Sequence, residues 1–481
     1  MTQQTKPARL TLHSQLAALV RRKPVTAAPE TTLREAVQAM EEHKVGSVCI
    51  VEPESGRPIG MFTLRDLRRR VARDGCDLDQ MVMTAAGERG VIALNWRSTI
   101  YQAALVMARE GVHHVVVVDA SEKLAGVVSQ SDIYELQSGG GKAISGAIRG
   151  ARDMDGLVAA AEDIRRLAER MLAEGTTAEP LTALISSLND HLTARILELT
   201  SHDFALPRVG WCWLSFGSEG RFEQTLSTDQ DNGIVFAAAA GKAEELRHAF
   251  LPFANAVNQR LAACGFPLCK GGIMAGNAEL CLSLDEWKGK FHSWLQSGNP
   301  QALLNATIFF DFRPLYGDES LVEELRAWLL GNSVGAPLFL RFMAENALRV
   351  RPPLGVVRDF AYDRSEQFPH TIDLKASGSR VFVDVARILA LAGGVAATGT
   401  AERLRALAER GKLGSDDVDA VVDGFFYIQQ LRLRQQQAGT PAGLANRVDP
   451  DGLNELDRYI LKEAFKQAKK LQTRLQLEYR L

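Results

Sequence analysis

The run Gly217-Ser218-Glu219-Gly220-Arg221-Phe222-Glu223-Gln224-Thr225-Leu226-Ser227-Thr228-Asp229-Gln230-Asp231-Asn232 holds the residues best suited to chemistry. An apolar run, Trp211-Cys212-Trp213-Leu214-Ser215-Phe216, precedes it and reads as a strand. Ile234-Val235-Phe236 follows and reads as another. Residues i and i+2 of a strand point to one side, so Asp229 and Asp231 present two carboxylates together. Adjacent carboxylates repel unless a cation sits between them. Mg²⁺ suits such a pair, because it prefers oxygen ligands and completes its shell with water and substrate phosphates. The Gly217-Ser218 turn has a separate task. Glycine lets the backbone approach a phosphate, and the serine hydroxyl and nearby N–H groups bind its oxygens. Turn and carboxylates would grip opposite sides of one triphosphate. Two metal ions about 4 Å apart would then activate an attacking oxygen and stabilise the departing pyrophosphate.

Several elements must position this run. A second strand is expected over residues 231–237, a helix over 244–263 that Gly265 ends, and mostly helices from about Gln301 onward. Upstream, Leu157, Ala160, Ile164, Leu167 and Met171 recur at helical spacing, as do Leu181, Leu184, Ile185, Leu188, Leu192 and Ile196. These are packing stripes without chemistry. Ser138-Gly139-Gly140-Gly141-Lys142 is a flexible break.

Residues 16–136 carry an internal repeat at a constant offset of 67 residues: Leu33 matches Ile100, Ala36 matches Ala103, Met40 matches Met107 and Val48 matches Val115. Each copy reads as an amphipathic helix, a short apolar strand, a turn, a second strand and a helix. The copies close on Gly60-Met61-Phe62-Thr63-Leu64-Arg65-Asp66 and Gly126-Val127-Val128-Ser129-Gln130-Ser131-Asp132. Thr63 or Ser129 can offer a hydroxyl at a helix start to a phosphate, and Asp66 or Asp132 can accept from ribose hydroxyls. The alternative is a plain N-cap with its acidic partner in the first turn.

The doubled Thr/Ser-x-x-Asp ending makes residues 16–136 resemble a tandem pair of CBS domains. That resemblance implies AMP, ADP or ATP as ligand at Thr63, Asp66, Ser129 and Asp132, and a homodimer formed through the pair. The Gly-Ser turn followed by Asp-x-Asp resembles the nucleotidyltransferase superfamily of DNA polymerase beta. Arg221 and Glu223 bring it nearest to the uridylyltransferase that modifies the nitrogen-signalling PII protein. This implies Asp229 and Asp231 as catalytic metal ligands and Gly217 and Ser218 as the phosphate turn. Arg221 would reach the triphosphate with Glu223 holding it, or the two would form a structural salt bridge. The superfamily usually adds a third carboxylate. The two candidates are Glu279, in Asn277-Ala278-Glu279-Leu280, and Asp311, which falls where a helix fits and has Arg313 beside it.

Lys270-Gly271-Gly272-Ile273-Met274-Ala275-Gly276-Asn277, Asp311-Phe312-Arg313-Pro314-Leu315-Tyr316-Gly317-Asp318, Arg351-Pro352-Pro353-Leu354-Gly355 and Asp384-Val385-Ala386-Arg387 resemble a bacterial family that joins CBS pairs to this catalytic domain. The implied architecture is α+β and multidomain. Residues 1–137 are a tandem CBS pair, 138–204 a Gly-rich linker and helical connector, 205–300 the α/β nucleotidyltransferase domain and 301–481 an all-α substrate-binding domain. Asp373, Lys375, Arg387, Arg432, Arg434 and Lys462 either line a cleft or form ion pairs between helices, and the second is the stronger expectation. The implied activity is Mg²⁺-dependent transfer of a nucleoside monophosphate from a triphosphate to an acceptor, such as a hydroxyl on a regulatory protein. The other readings are an inactive nucleotide sensor and a small-molecule nucleotidyltransferase.

Composition narrows the field. A formal net charge of −2 over 481 residues argues against a general nucleic-acid binder, which needs a basic field. The longest apolar stretch, 383–397, is broken by Asp384 and Arg387 and is too short to span a bilayer. Cys49, Cys76, Cys212, Cys264, Cys269 and Cys281 form no Cys-x-x-Cys pair. Neither Cys264 nor Cys269 finds a partner motif for a zinc set, and the nine histidines show no ligand spacing. With no leader peptide at Met1, a reduced cytoplasmic protein is expected.

Overall fold

The computed structural model describes residues 14–20, 23–43, 45–63, 66–67, 77–86, 91–110, 112, 114–129, 140–296, 303, 306–355, 359–363, 367–439 and 443–481. The chain divides into two compact units, Met1–Gly140 and Gly141–Leu481.

In the first unit the repeat in sequence is a repeat in space. β1 (Thr26–Ala27) runs parallel to β2 (Ser47–Val51), which pairs antiparallel with β3 (Pro58–Thr63). β4 (Ala93–Asn95), β5 (His114–Val118) and β6 (Leu124–Ser129) repeat that order. Helix α1 (Leu33–Glu42) buries Leu33, Ala36 and Met40 against Val48, Ile50 and Phe62, and the short helix α2 (Val82–Ala86) adds Val82. Thr32 and Glu35 start α1 with a reciprocal capping box, which satisfies two otherwise orphaned N–H groups. Helix α3 (Ile100–Glu110) buries Ile100, Ala103 and Met107 against Val115, Val117 and Val128. Leu16 and Leu19, ahead of the first copy, pack into the core of the second, so the copies are interleaved.

The second unit opens with helices α4 (Gly141–Gly150), α5 (Met154–Ala173) and α6 (Ala178–Ser201). Then come β7 (Trp211–Ser215), the one-turn helix α7 (Gly217–Gly220), β8 (Asn232–Phe236), α8 (Ala243–Ala263), β9 (Cys281–Ser283), α9 (Leu284–Leu295) and β10 (Arg313–Gly317). Among the described residues these strands form one sheet in the order β10-β7-β8-β9. β7 pairs antiparallel with both β10 and β8, while β8 and β9 run parallel. Both faces of the sheet are covered, which is why β7 and β8 read as unbroken apolar runs. Trp213, Ile234 and Phe236 face a core shared with α5, α6 and α8. Cys212, Leu214 and Val235 face the opposite core, with Trp287 and Phe291 of α9 and the helices that follow. Burying each of the large side chains stabilises the fold by roughly 1.5–3 kcal/mol.

Those following helices are α10 (Glu319–Ser333), α11 (Pro337–Arg349), α12 (Arg380–Ala392), α13 (Thr400–Glu409), α14 (Ser415–Gln437) and α15 (Glu455–Tyr479). A π-helical turn, Leu374–Ser379, leads into α12, and the Asp373 carboxylate caps it by accepting from the N–H groups of Lys375 and Ala376. Helix α12 is buried nearly all round, which explains its apolar sequence without a membrane. No helix of the described residues is long and apolar enough to cross a bilayer.

Candidate functional site

Asp229 and Asp231 stand just ahead of β8, not within it, because the strand begins at Asn232. The chain is nonetheless extended there: the Phe216 N–H donates to the Asp231 carbonyl at 2.8 Å and continues the β7–β8 pairing. The period-two alternation holds. Gln230 and Asn232 turn inward, each 1% exposed. Gln230 Nε2 donates to the carbonyls of Asn258 and Phe266, both at 2.9 Å. Asn258 Nδ2 donates to Gln230 Oε1 at 2.8 Å and to Asn232 Oδ1 at 2.9 Å. Leaving any one of these groups unpaired would cost about 1–3 kcal/mol, so the network fixes the register. The aspartates are thereby forced to the other side.

There, ligand atoms of Asp229, Asp231 and Cys269 lie within 4.8 Å of one another. Burial, and then the neighbouring Asp229, push the Asp231 carboxyl up to about 7, opposed by Lys375 and by the Cys269 side chain. A nearly buried carboxylate whose ionisation a second carboxylate resists is the arrangement that a divalent cation relieves. The residues present therefore fit such an ion.

The Gly217-Ser218 turn lies directly over the pair. Gly217 has φ +56°, and a Cβ there would come 2.9 Å from Asp231 Oδ2 and 3.0 Å from Ile308 Cδ1. Only glycine brings backbone this close to the carboxylate. Ser218 Oγ is 3.4 Å from Thr228 Oγ1, which bridges the turn to the approach of Asp229. Gly220 is packed still more tightly, since a Cβ would fall 1.9 Å from the Asp311 carbonyl oxygen.

Arg221 does not face open solvent. Its Nε binds Glu223 Oε2 at 2.7 Å and its Nη1 binds Asp311 Oδ2 at 2.6 Å. Asp311 is fully buried and takes two further arginines. Arg387 donates through Nε at 2.9 Å and Nη2 at 2.5 Å, and Arg403 donates through Nη1 at 2.6 Å. These charges hold the Asp311 carboxyl far below the usual carboxylate range despite its burial. Glu223 Oε1 accepts from the Thr400 N–H at 2.6 Å, and Asp384 pairs with Arg387 at 2.7 Å. Three guanidiniums meet three carboxylates, and the motif turn is riveted to α12 and α13.

Both third-carboxylate candidates stand elsewhere. Asp311 follows a 3₁₀ turn, Thr307–Phe310, and serves the arginines rather than pairing with Arg313. Glu279 is exposed and pairs with Lys290 at 3.2 Å. Arg313 instead binds Asp190 of α6 at 2.7 Å, donates to the Glu219 carbonyl at 3.0 Å and covers the Phe222 ring at 3.7 Å. Glu219, unassigned from sequence, has its carboxyl raised well above the usual range by burial, then by Asp231 and Asp190. Its setting between Gly-Ser and Gly-Arg was the available signal.

Of the basic residues in the helical part, Arg387 belongs to the Asp311 cluster. Arg432 donates to Asn446 and Gln429, Arg434 reaches Asp457 at 3.5 Å and Lys462 reaches Asp359 at 2.6 Å. The ion-pair expectation therefore describes most of the set. Lys375 is the member whose charge is felt at Asp231. In the first unit, Thr63 and Asp66 bond each other: Thr63 N and Oγ1 donate to Asp66 Oδ2 at 3.0 and 2.7 Å. Ser129 ends β6, and Asp132 lies outside the described residues.

Family models match most of the chain. Residues 162–301 match "Putative nucleotidyltransferase DUF294", 337–479 match "Putative nucleotidyltransferase substrate binding domain", and 16–73 and 97–139 match the CBS domain. Among curated proteins, the chain is 32% identical over 119 residues to the uncharacterized protein MK0525 of Methanopyrus kandleri, covering 25% of this chain and 60% of that one. It is 29% identical over 108 residues to the CBS domain-containing protein YhcV of Bacillus subtilis, covering 22% and 74%. Among solved structures, the CBS domain protein PAE2072 from Pyrobaculum aerophilum, complexed with AMP, is 30% identical and covers 24% of this chain and 88% of that one, with a TM-score of 0.23. The fold is a CBS pair, an α/β transferase-type domain and a helical C-terminal region, and the chain belongs to the CBS-linked DUF294 nucleotidyltransferase family.

Proposed function

We propose that the protein transfers a nucleoside monophosphate from a triphosphate to an acceptor hydroxyl, with a protein side chain the favoured acceptor. The observation that carries this reading is the placement of Asp231 beneath Gly217, with Asp229 and Asp231 converging on one point. Asp229 and Asp231 hold the cation. Gly217 and Ser218 receive the phosphates. Arg221 and Glu223 keep that turn in place through Asp311 rather than touching the triphosphate. The positive charge of Lys375 offsets part of the negative charge at Asp231. Mg²⁺, as one or two ions, supplies Lewis-acid stabilisation of the charge that develops on the phosphates. Residues 205–300 perform transfer, 301–481 hold the acceptor, and 138–204 connect them to a sensing pair at 1–137.

The CBS pair takes AMP, ADP or ATP at Thr63, Asp66, Ser129 and Asp132 and tunes the transferase through differential affinity for two arrangements. Thr63 and Asp66 already share a hydrogen bond that a ribose hydroxyl would replace. The reading includes a homodimer through the CBS pair and a reducing, cytoplasmic setting.

Incubation with each α-labelled triphosphate, Mg²⁺ and cell extract tests the activity. Label should appear on a protein or small molecule with wild type and vanish with Asp229→Ala and Asp231→Ala. Tight triphosphate binding without turnover would favour a non-catalytic sensor, a reading that draws on the engagement of Asp311 by arginines and of Glu279 by Lys290.

A further inference from the structure

The loop after α8 brings a sulfur to the aspartates. Cys269 Sγ and one carboxylate oxygen from each of Asp229 and Asp231 lie within 4.8 Å of one another. Among the described residues, no other group of three His, Cys, Asp or Glu side chains converges in this way. The placement is built from the backbone. The Pro267 carbonyl accepts from the Gln230 N–H at 3.1 Å, and the Ile273 carbonyl accepts from the Asn232 N–H at 3.1 Å. Asn232 Oδ1 accepts from the Ala275 N–H at 2.8 Å. Both ends of the loop are therefore stitched to the residues flanking Asp231, which brings half-buried Cys269 alongside the aspartates. Within the loop, the Gly272 N–H donates to the Cys269 carbonyl at 3.0 Å and holds the turn closed.

We propose that Cys269 is the third protein ligand of the cation site, giving two hard oxygens and one soft sulfur where a third carboxylate was expected. This rests on reading Asp229 and Asp231 as that site. On coordination the thiol releases its proton to solvent and the sulfur lone pair is donated to the cation, as coordinating thiols do. A sulfur donor changes the metal preference. Mg²⁺ gains little from it, while Mn²⁺, Co²⁺, Zn²⁺ and Cd²⁺ gain in the order of their affinity for soft ligands. The site then responds to the identity of the available cation.

Co²⁺ is the probe. Titrating the full chain with Co²⁺ should produce a near-ultraviolet sulfur-to-cobalt charge-transfer absorption. Cys269→Ser should abolish that absorption and weaken Co²⁺ binding by roughly 10–100-fold, no less than loss of an outer-sphere partner costs. Its effect on Mg²⁺ binding should be smaller. Asp229→Ala and Asp231→Ala should lose both absorption and ion. If wild type binds Co²⁺ through the aspartates without the absorption, the sulfur assignment is overturned and the carboxylate site stands. An absorption that survives Cys269→Ser also overturns it, by placing the sulfur on another cysteine. If wild type takes up no Co²⁺ and the aspartate variants match it, the cation site itself fails. Cys269→Ala is the second variant should the serine hydroxyl coordinate in place of sulfur.

Discussion

Replacing Asp311 with Asn should unfold the second unit at a markedly lower temperature. Asp311 is 0% exposed and neutralises Arg221, Arg387 and Arg403 at 2.5–2.9 Å. Asparagine keeps the volume but removes the charge and turns an amide N–H toward guanidinium donors. Glu223 still serves Arg221 and Asp384 still serves Arg387, but Arg403 keeps only the carbonyls of Ala397 and Phe310. One buried positive charge is left uncompensated. Breaking such a buried pair costs about 3–5 kcal/mol, a shift of about 4–7 °C in a unit of this size. Differential scanning calorimetry at pH 7 measures it. Adding Arg403→Met should restore part of the loss, since it removes the stranded charge. The pH dependence has a fixed sign. The folded carboxyl is held far below its ordinary 3.8, so its contribution is complete above that value and is lost only as pH falls below it. The gap between wild type and Asp311→Asn should therefore be equal at pH 7 and 5 and narrow in stronger acid. A variant melting within about 1 °C of wild type, or a gap that closes between pH 7 and 5, would refute this account of the cluster.

Gly220→Ala should destabilise the second unit by about 1–3 kcal/mol in urea titration, because its Cβ meets the Asp311 carbonyl; an unchanged midpoint would mean that the turn can move. Cys49, Cys212 and Cys281, whose thiols burial pushes up to about 12, and Cys264, pushed to about 11, should resist alkylation in the native protein at pH 8 and react once unfolded, as read by peptide mass; rapid native labelling of any of them would contradict its burial. Asp66→Ala should cost about 0.5–2 kcal/mol through the lost cap and diminish the thermal shift given by AMP, ADP or ATP, whereas undiminished shifts would place the ligand elsewhere.

The sequence exposed what is periodic or local and hid what depends on distant residues meeting. The CBS repeat was legible because Leu33, Ala36 and Met40 recur as Ile100, Ala103 and Met107 on matching core faces. The carboxylate pair was legible because alternation along an extended chain needs no tertiary knowledge. The fate of Asp311 was not, since its partners Arg387 and Arg403 lie 76 and 92 residues away. Cys269 was set aside for want of a nearby cysteine or histidine partner. Its partners are carboxylates about 40 residues upstream, reached through bonds from Gln230 and Asn232 to the loop. Gln230 and Asn232 carry no signal of their role in the sequence, because the buried network they anchor depends on Asn258 about 26–28 residues downstream.

Nucleotidyl transfer at Asp229 and Asp231 is tested by parallel reactions with α-labelled and γ-labelled forms of one triphosphate. α-Label should appear on the acceptor and γ-label in released pyrophosphate, with both lost in Asp229→Ala and Asp231→Ala. Appearance of γ-label on the acceptor, or α-transfer undiminished in those variants, would contradict it.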